Sequence, residues 1–169
     1  MSHPLVDQLR FTRRELRRAI EGVTPEEAAR RFGSMNPIAW MVGHLAWHEQ
    51  ALWLDRAQGK VLAPEVQPCG FGKPPSDPPF DGMRAAWDTI TAASEPYLDT
   101  LTSEVMLGFF ERDSRRAESI GTSLRRLTYH YWFHLGESQA IRQMLGHRDL
   151  PGFVGNIGGE APYVPEGQP

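Results

Sequence analysis

Near the amino end, Leu5, Leu9, Leu16 and Ile20 fall close to one stripe of a 3.6-residue repeat, with arginines and glutamates filling most of the positions between. That spacing predicts a first helix from about Leu5 to Ile20 with one core-facing side. Thr24-Pro25-Glu26-Glu27 then supplies an N-cap, a proline at the first helical position and a capping-box glutamate three residues after the cap. A short helix to about Phe32, ended by Gly33, is expected. Asn36-Pro37 repeats the start signal. Ile38, Met41, Val42, Leu45, Leu52 and Trp53 follow at helical spacing, which predicts a second long helix to about Gln58.

Between Gly59 and Phe80 the periodicity gives way to Pro and Gly, including Pro74-Pro75 and Pro78-Pro79. Proline removes a backbone donor and clashes with the preceding turn, so this stretch predicts a long crossover loop rather than a helix. Asp81 is placed to cap a third long helix through Met83, Trp87, Ile90 and Leu98, with Pro96 as a kink or early end. From Thr102 through the charged run Glu111 to Glu118 the pattern is irregular, a connection with room for one helical turn or a hairpin-like piece. Ser119 to Leu145 contains no proline and keeps Leu124, Leu127, Phe133 or His134, Ile141 and Leu145 inward, with Gly146 as a C-terminal cap. Residues 147–169 lack periodicity and predict an irregular tail, packed over the bundle or mobile. The sum is an all-α chain: a four-helix bundle in a single domain over residues 1–169, with a long crossover between the second and third helices.

Composition narrows what such a bundle does. A chain of 169 residues, 40% hydrophobic and 23% charged, is long enough to bury a core without staples. No run approaches the roughly 18 uninterrupted apolar residues of a membrane span, and the polar start shows no secretory h-region, so a cytoplasmic protein is expected. A net charge of -3 argues against a nucleic-acid footprint. The pairs Arg13-Arg14, Arg17-Arg18, Arg30-Arg31, Arg115-Arg116 and Arg125-Arg126 are interleaved with acids and read as solvated helix faces. The single cysteine, Cys69, lies in the Pro/Gly-rich stretch with nothing basic beside it and reads as inert. Any metal site must therefore use histidine or carboxylate.

Histidines supply the chemistry. His44 and His48 lie four apart on the second long helix, and His130 and His134 four apart on the fourth, so each pair shares a helix face. The contexts VGHLAW and YHYWFHLGE are apolar and aromatic, where an imidazole needs a partner. Neutral imidazole suits zinc, nickel, copper or ferrous iron, and three protein ligands leave a position open for water or substrate. Trp40, Trp47, Trp53, Trp87 and Trp132 offer pocket walls, although most are expected in the core. Tyr129 and Tyr131 lie about 100° to either side of His130, so at most one of them faces its cavity.

NPIAWMVGHLAWHEQALW and HYWFHLGESQAIRQMLG resemble the second- and fourth-helix motifs of the DinB/YfiT-like metal-binding superfamily. The resemblance implies a histidine triad at His44, His130 and His134, frequent homodimers and, in some branches, transferase or isomerase activity that uses a low-molecular-weight thiol. Where the family often has a basic residue after its final histidine, this chain has Leu135-Gly136-Glu137. His48 falls outside the triad as a fourth ligand, a general base or a residue supporting a ligand, and supporting a ligand or lining the pocket is favoured over direct ligation. Glu137, one turn past His134, is a candidate to accept a ligand N–H.

The leading expectation is a metal-dependent enzyme in which a divalent ion, zinc or nickel, activates a low-molecular-weight thiol for S-transfer to an electrophilic small molecule. The alternatives are a metal-dependent hydrolase, needing His48 or Glu137 as base, and a non-catalytic metal- or ligand-binding bundle.

Overall fold

A computed structural model describes residues 2–113 and 117–165. Helix α1 (Pro4–Ile20) starts where the His3 imidazole accepts the Leu5 amide, and Val6, Leu9, Leu16, Ala19 and Ile20 line its buried side. The short α2 (Pro25–Ala28) carries the full capping box, Thr24 Oγ1 accepting from the Glu27 amide and the Glu27 carboxylate accepting from the Thr24 amide. It stops at Ala28, short of the expected Phe32. Arg31 leaves the helical path to reach Asp77 and the Ser76 carbonyl, and Phe32 turns back onto the core beneath Arg30.

Helix α3 (Ile38–Glu49) begins on Pro37, so the Asn36 signal marks the turn without making a capping bond. It continues directly into a π-helical segment, Gln50–Arg56. The wider turn lets Leu52, Trp53 and Leu54 all be buried in succession, which the single inward stripe of a regular helix does not accommodate. The Gln50 side chain donates to the Ala63 carbonyl and accepts the Leu62 and Ala63 amides, pinning the crossover to the helix it has just left.

The crossover departs from expectation in one place. Pro64–Cys69 winds into a 3-10 helix packed on α3. Pro64 sits in its first turn, where the missing donor breaks no helical bond. Helix α4 (Phe80–Leu98) is entered from Pro79, with Asp81 in its first turn rather than at the cap, and it runs past Pro96 to Leu98. Helix α5 (Ser103–Leu107), capped by Thr102, is the one turn that the irregular connection had room for. The Arg115-Arg116 pair within that connection lies outside the described residues. Helix α6 (Ile120–Met144) is capped by Ser119, and Gly146 follows its end at φ 88°, a left-handed conformation that glycine adopts without penalty.

The four long helices form the bundle: α1 packs on α6, and α3 packs on both α4 and α6. A shared core runs through Leu9, Leu45, Trp53, Ile90 and Leu127. The described part of the tail, including α7 (Ile157–Glu160), lies over the bundle, with Phe153 against Trp132 and Arg18 and with Glu160 paired to Arg14. No helix among the described residues is long and apolar enough to cross a membrane.

One polar network crosses this core. Arg13 Nε and Nη2 donate to the two carboxylate oxygens of Glu49 at 2.8 and 2.7 Å, while Nη1 donates to Glu95 and Nη2 also to Ser94 Oγ. Tyr131 Oη donates to Glu49 at 2.7 Å and accepts from Trp87 Nε1 at 2.6 Å. Burial alone would lower the Arg13 guanidinium pKa, but the facing Glu49 carboxylate more than offsets this and raises it. The network joins all four long helices and fixes their rotation about their own axes.

Candidate metal centre

Glu49 follows His48 in the chain and Tyr131 follows His130, so turning Glu49 and Tyr131 into the core turns each preceding histidine about 100° away from it, toward the α3/α6 seam. There the structure brings His44, His130 and His134 together, with one nitrogen of each lying within 4.8 Å of the others. His130 Nε2 and His134 Nε2 are 3.0 Å apart. Two nitrogens on one tetrahedral ion, each at about 2.0–2.1 Å from it, stand roughly 3.3 Å apart, so these two lone pairs already converge at nearly that spacing.

The other ring nitrogens are held by the protein. His44 Nδ1–H donates to the Cys69 carbonyl at 2.6 Å, and His134 Nδ1–H donates to the Glu137 carboxylate at 2.7 Å. His130 Nδ1 lies 2.9 Å from His48 Nδ1. For His130 to present a lone pair at Nε2, its Nδ1 carries the proton and donates to His48. Each imidazole of the triad thus has a partner that fixes its tautomer and orientation, as metal-binding histidines require. Aromatic rings hold the planes: His44 is stacked between Trp40 and Trp47, with centroids 4.5 and 5.5 Å away, and Phe133 meets His134 edge-on.

Electrostatics keeps the lone pairs available. Burial pushes His44 down to about 4, a shift that the Cys69 carbonyl only partly opposes. Burial, with the neighbouring His44 and the Arg56 and Arg126 charges, puts His48 at about 4; burial together with His134 and His48 puts His130 at about 3. At neutral pH these rings are uncharged, the form that binds a metal. Three neutral nitrogens without thiolate or carboxylate fit a borderline transition ion such as zinc or nickel. The three imidazoles are positioned to bind a metal ion.

The sequence model described as DinB superfamily matches residues 8–138, well over half of the chain. The chain belongs to the DinB superfamily. No curated protein and no solved structure matches it.

In this DinB chain the triad opens on one side to a cavity of about 710 Å³ whose wall includes His44, His48 and His130 but not His134. Trp47, Phe71 and Tyr129 supply its apolar surface, and Arg125 and Arg126 supply its charge. Of the five tryptophans, only Trp47 lines this cavity; Trp40 backs His44, Trp53 and Trp87 are core, and Trp132 packs under the tail. Tyr129 faces the cavity and Tyr131 faces the core network.

Several contributors escape a reading of the DinB motifs. The Cys69 carbonyl is a backbone group brought over by the 3-10 helix, and no residue type announces it. The Cys69 thiol is buried, lies 4.0 Å from Met83 Sδ, and is raised by that burial. Gly43 is the available signal for this close approach, because a Cβ there would meet Met83 Sδ at 2.6 Å and Cys69 Sγ at 2.7 Å. Glycine inside a helix costs roughly 1 kcal/mol relative to alanine, so its presence next to His44 marks a place where another segment must come near. Arg125 and Arg126 read in sequence as a solvated face, and only the tertiary structure makes them a cavity wall, together with Trp47 of α3 and Phe71 of the crossover.

Proposed function

We propose that this DinB-superfamily protein is a metal-dependent enzyme that transfers a low-molecular-weight thiol to an electrophilic small molecule. The observation that carries the reading is the triad itself: three converging imidazoles, each with its far nitrogen tethered, at the wall of a cavity large enough for a small molecule. His44, His130 and His134 would hold the ion, leaving room for an exchangeable ligand on the cavity side. Bound there, a divalent transition ion supplies Lewis acidity, which removes the proton from a coordinating thiol at neutral pH.

The chain's own residues account for the rest. His48 supports His130 through Nδ1, Glu137 supports His134, and the Cys69 carbonyl supports His44. Trp47, Phe71 and Tyr129 line one flank of the cavity and offer apolar contact to a substrate. A specific observation favours thiol over water as the nucleophile. Hydrolysis needs a general base poised near the working pH, whereas His48 at about 4 is a weak base and is bonded to His130. Glu137 is bonded to His134, which does not line the cavity.

The test is elemental analysis of the purified protein, followed by a screen of thiols against electrophiles with the zinc- and nickel-loaded forms. About one equivalent of metal and thioether formation that requires it are expected. Stoichiometric metal with hydrolysis but no thiol consumption would replace S-transfer by the hydrolase reading. A protein that takes up neither metal would end both.

A further inference from the structure

The cavity wall has a charge pattern of its own. It includes two arginines and no carboxylate. They are not equivalent: Arg126 donates through Nε to both oxygens of Glu118, which neutralises it, whereas Arg125 has no acidic partner among the described residues. Thr122, Arg125 and Tyr129 fall at i, i+3 and i+7 on α6 and form one row along the cavity. Arg126, His130 and His134 form the adjacent row, which leads to the triad. Phe71, at 86% exposed, and Tyr129, at 62%, stand at the same opening, where neither ring is needed by the core.

We propose that this cavity takes a small carboxylate with a flat apolar body, its carboxylate on Arg125 and its body against Trp47, Phe71 and Tyr129. The guanidinium presents a planar fork of donors that matches a carboxylate in two parallel bonds, and Arg125, exposed at the cavity and with no acidic partner among the described residues, has that fork available. Arg125 precedes His130 by five residues, about 7.5 Å of helix rise and about 140° around the axis, so a ligand held at both ends carries its carboxylate at least about one fused ring system away from the atom that reaches the triad. The inference rests on the cavity being the substrate site, and it names the chemistry that this site selects. The carboxylate belongs either to the electrophile or to the thiol, and the two sources are separable.

Titration calorimetry on the full chain, zinc-loaded and metal-free, would use two matched pairs: 2-naphthoate against 2-naphthamide, and N-acetylcysteine against N-acetylcysteamine. At least one carboxylate is expected to bind about tenfold tighter than its neutral counterpart, the scale of a charge-assisted bond. Preference within the naphthyl pair assigns the carboxylate to the electrophile, and preference within the thiol pair assigns it to the thiol. In R125Q, a change at an exposed position, that preference falls to near unity while the neutral partner binds as before, which also reports an intact cavity. Where the naphthyl pair carries the preference, that preference survives metal removal. Absence of discrimination in both pairs, or its retention in R125Q, overturns the proposal. Loss of the naphthyl preference on metal removal would also overturn it, because the carboxylate would then be reading the ion. If the wild type fails to take up metal yet keeps an Arg125-dependent preference, the metal reading falls and this one stands.

Discussion

Replacing Glu49 by Gln isolates the charge that holds the bundle's helices in phase. The Arg13 side chain is 6% exposed and that of Glu49 0%, and the two share bonds of 2.8 and 2.7 Å. Removing one charge of a fully buried pair leaves the other uncompensated and costs roughly 3–5 kcal/mol. In E49Q the Glu95 carboxylate still meets Arg13 Nη1 at 2.6 Å and Ser94 Oγ still accepts from Nη2, which places the expected loss at the lower end. The amide NH₂ of the new side chain would face the guanidinium donor to donor, so relief is incomplete, and a loss of about 3 kcal/mol is expected. E95Q is the control. Its side chain is 37% exposed, so its pairs with Arg10 and Arg13 are screened and its loss should stay within about 1 kcal/mol. Urea unfolding followed by tryptophan fluorescence measures both variants, and an unchanged slope confirms that stability alone has moved. An E49Q loss below about 1 kcal/mol, or one equal to that of E95Q, would refute the assignment of Arg13 and Glu49 as the mutually dependent charges of the core.

His44→Ala, His130→Ala and His134→Ala should each abolish stoichiometric zinc in elemental analysis. His48→Ala should keep full occupancy at saturating zinc with affinity reduced roughly 10- to 100-fold, since it loses only the partner of His130; complete loss of metal in that variant would make His48 a ligand. Gly43→Ala drives a methyl into Met83 and Cys69, displacing the carbonyl that orients His44. A destabilisation of about 1–3 kcal/mol with weaker zinc binding should follow, and wild-type affinity would show that the Cys69 carbonyl is dispensable. Metal-free protein should lose stability as pH falls below about 6.5, because the unfolded chain protonates its histidines there while folded His44 and His48 resist to about 4 and His130 to about 3. In that window the unfolded state binds more protons, so the urea midpoint should drop with falling pH, and a variant with alanine at all three positions should show a shallower drop.

The sequence alone determined the helices and the pairing of histidines within each, because both rest on local periodicity. Four residues on one helix place two side chains on one face wherever that helix goes, and the capping box at Thr24 and the cap at Ser119 act within a single turn. The same locality explains the misplaced details. The end of α2 was decided by Arg31 reaching Asp77, and the 3-10 turn at Pro64–Cys69 by packing on α3; both are partners distant in sequence. The Glu137 contact that orients His134 lies within one turn of α6 and was legible for the same reason, whereas only the tertiary structure decided which nitrogens His44 and His130 present and which arginine has no acidic partner at the cavity. Those outcomes depend on a backbone carbonyl from the crossover, a carboxylate from another segment and a buried Arg13–Glu49–Tyr131 lock, and none of these contacts leaves a periodic trace in the chain.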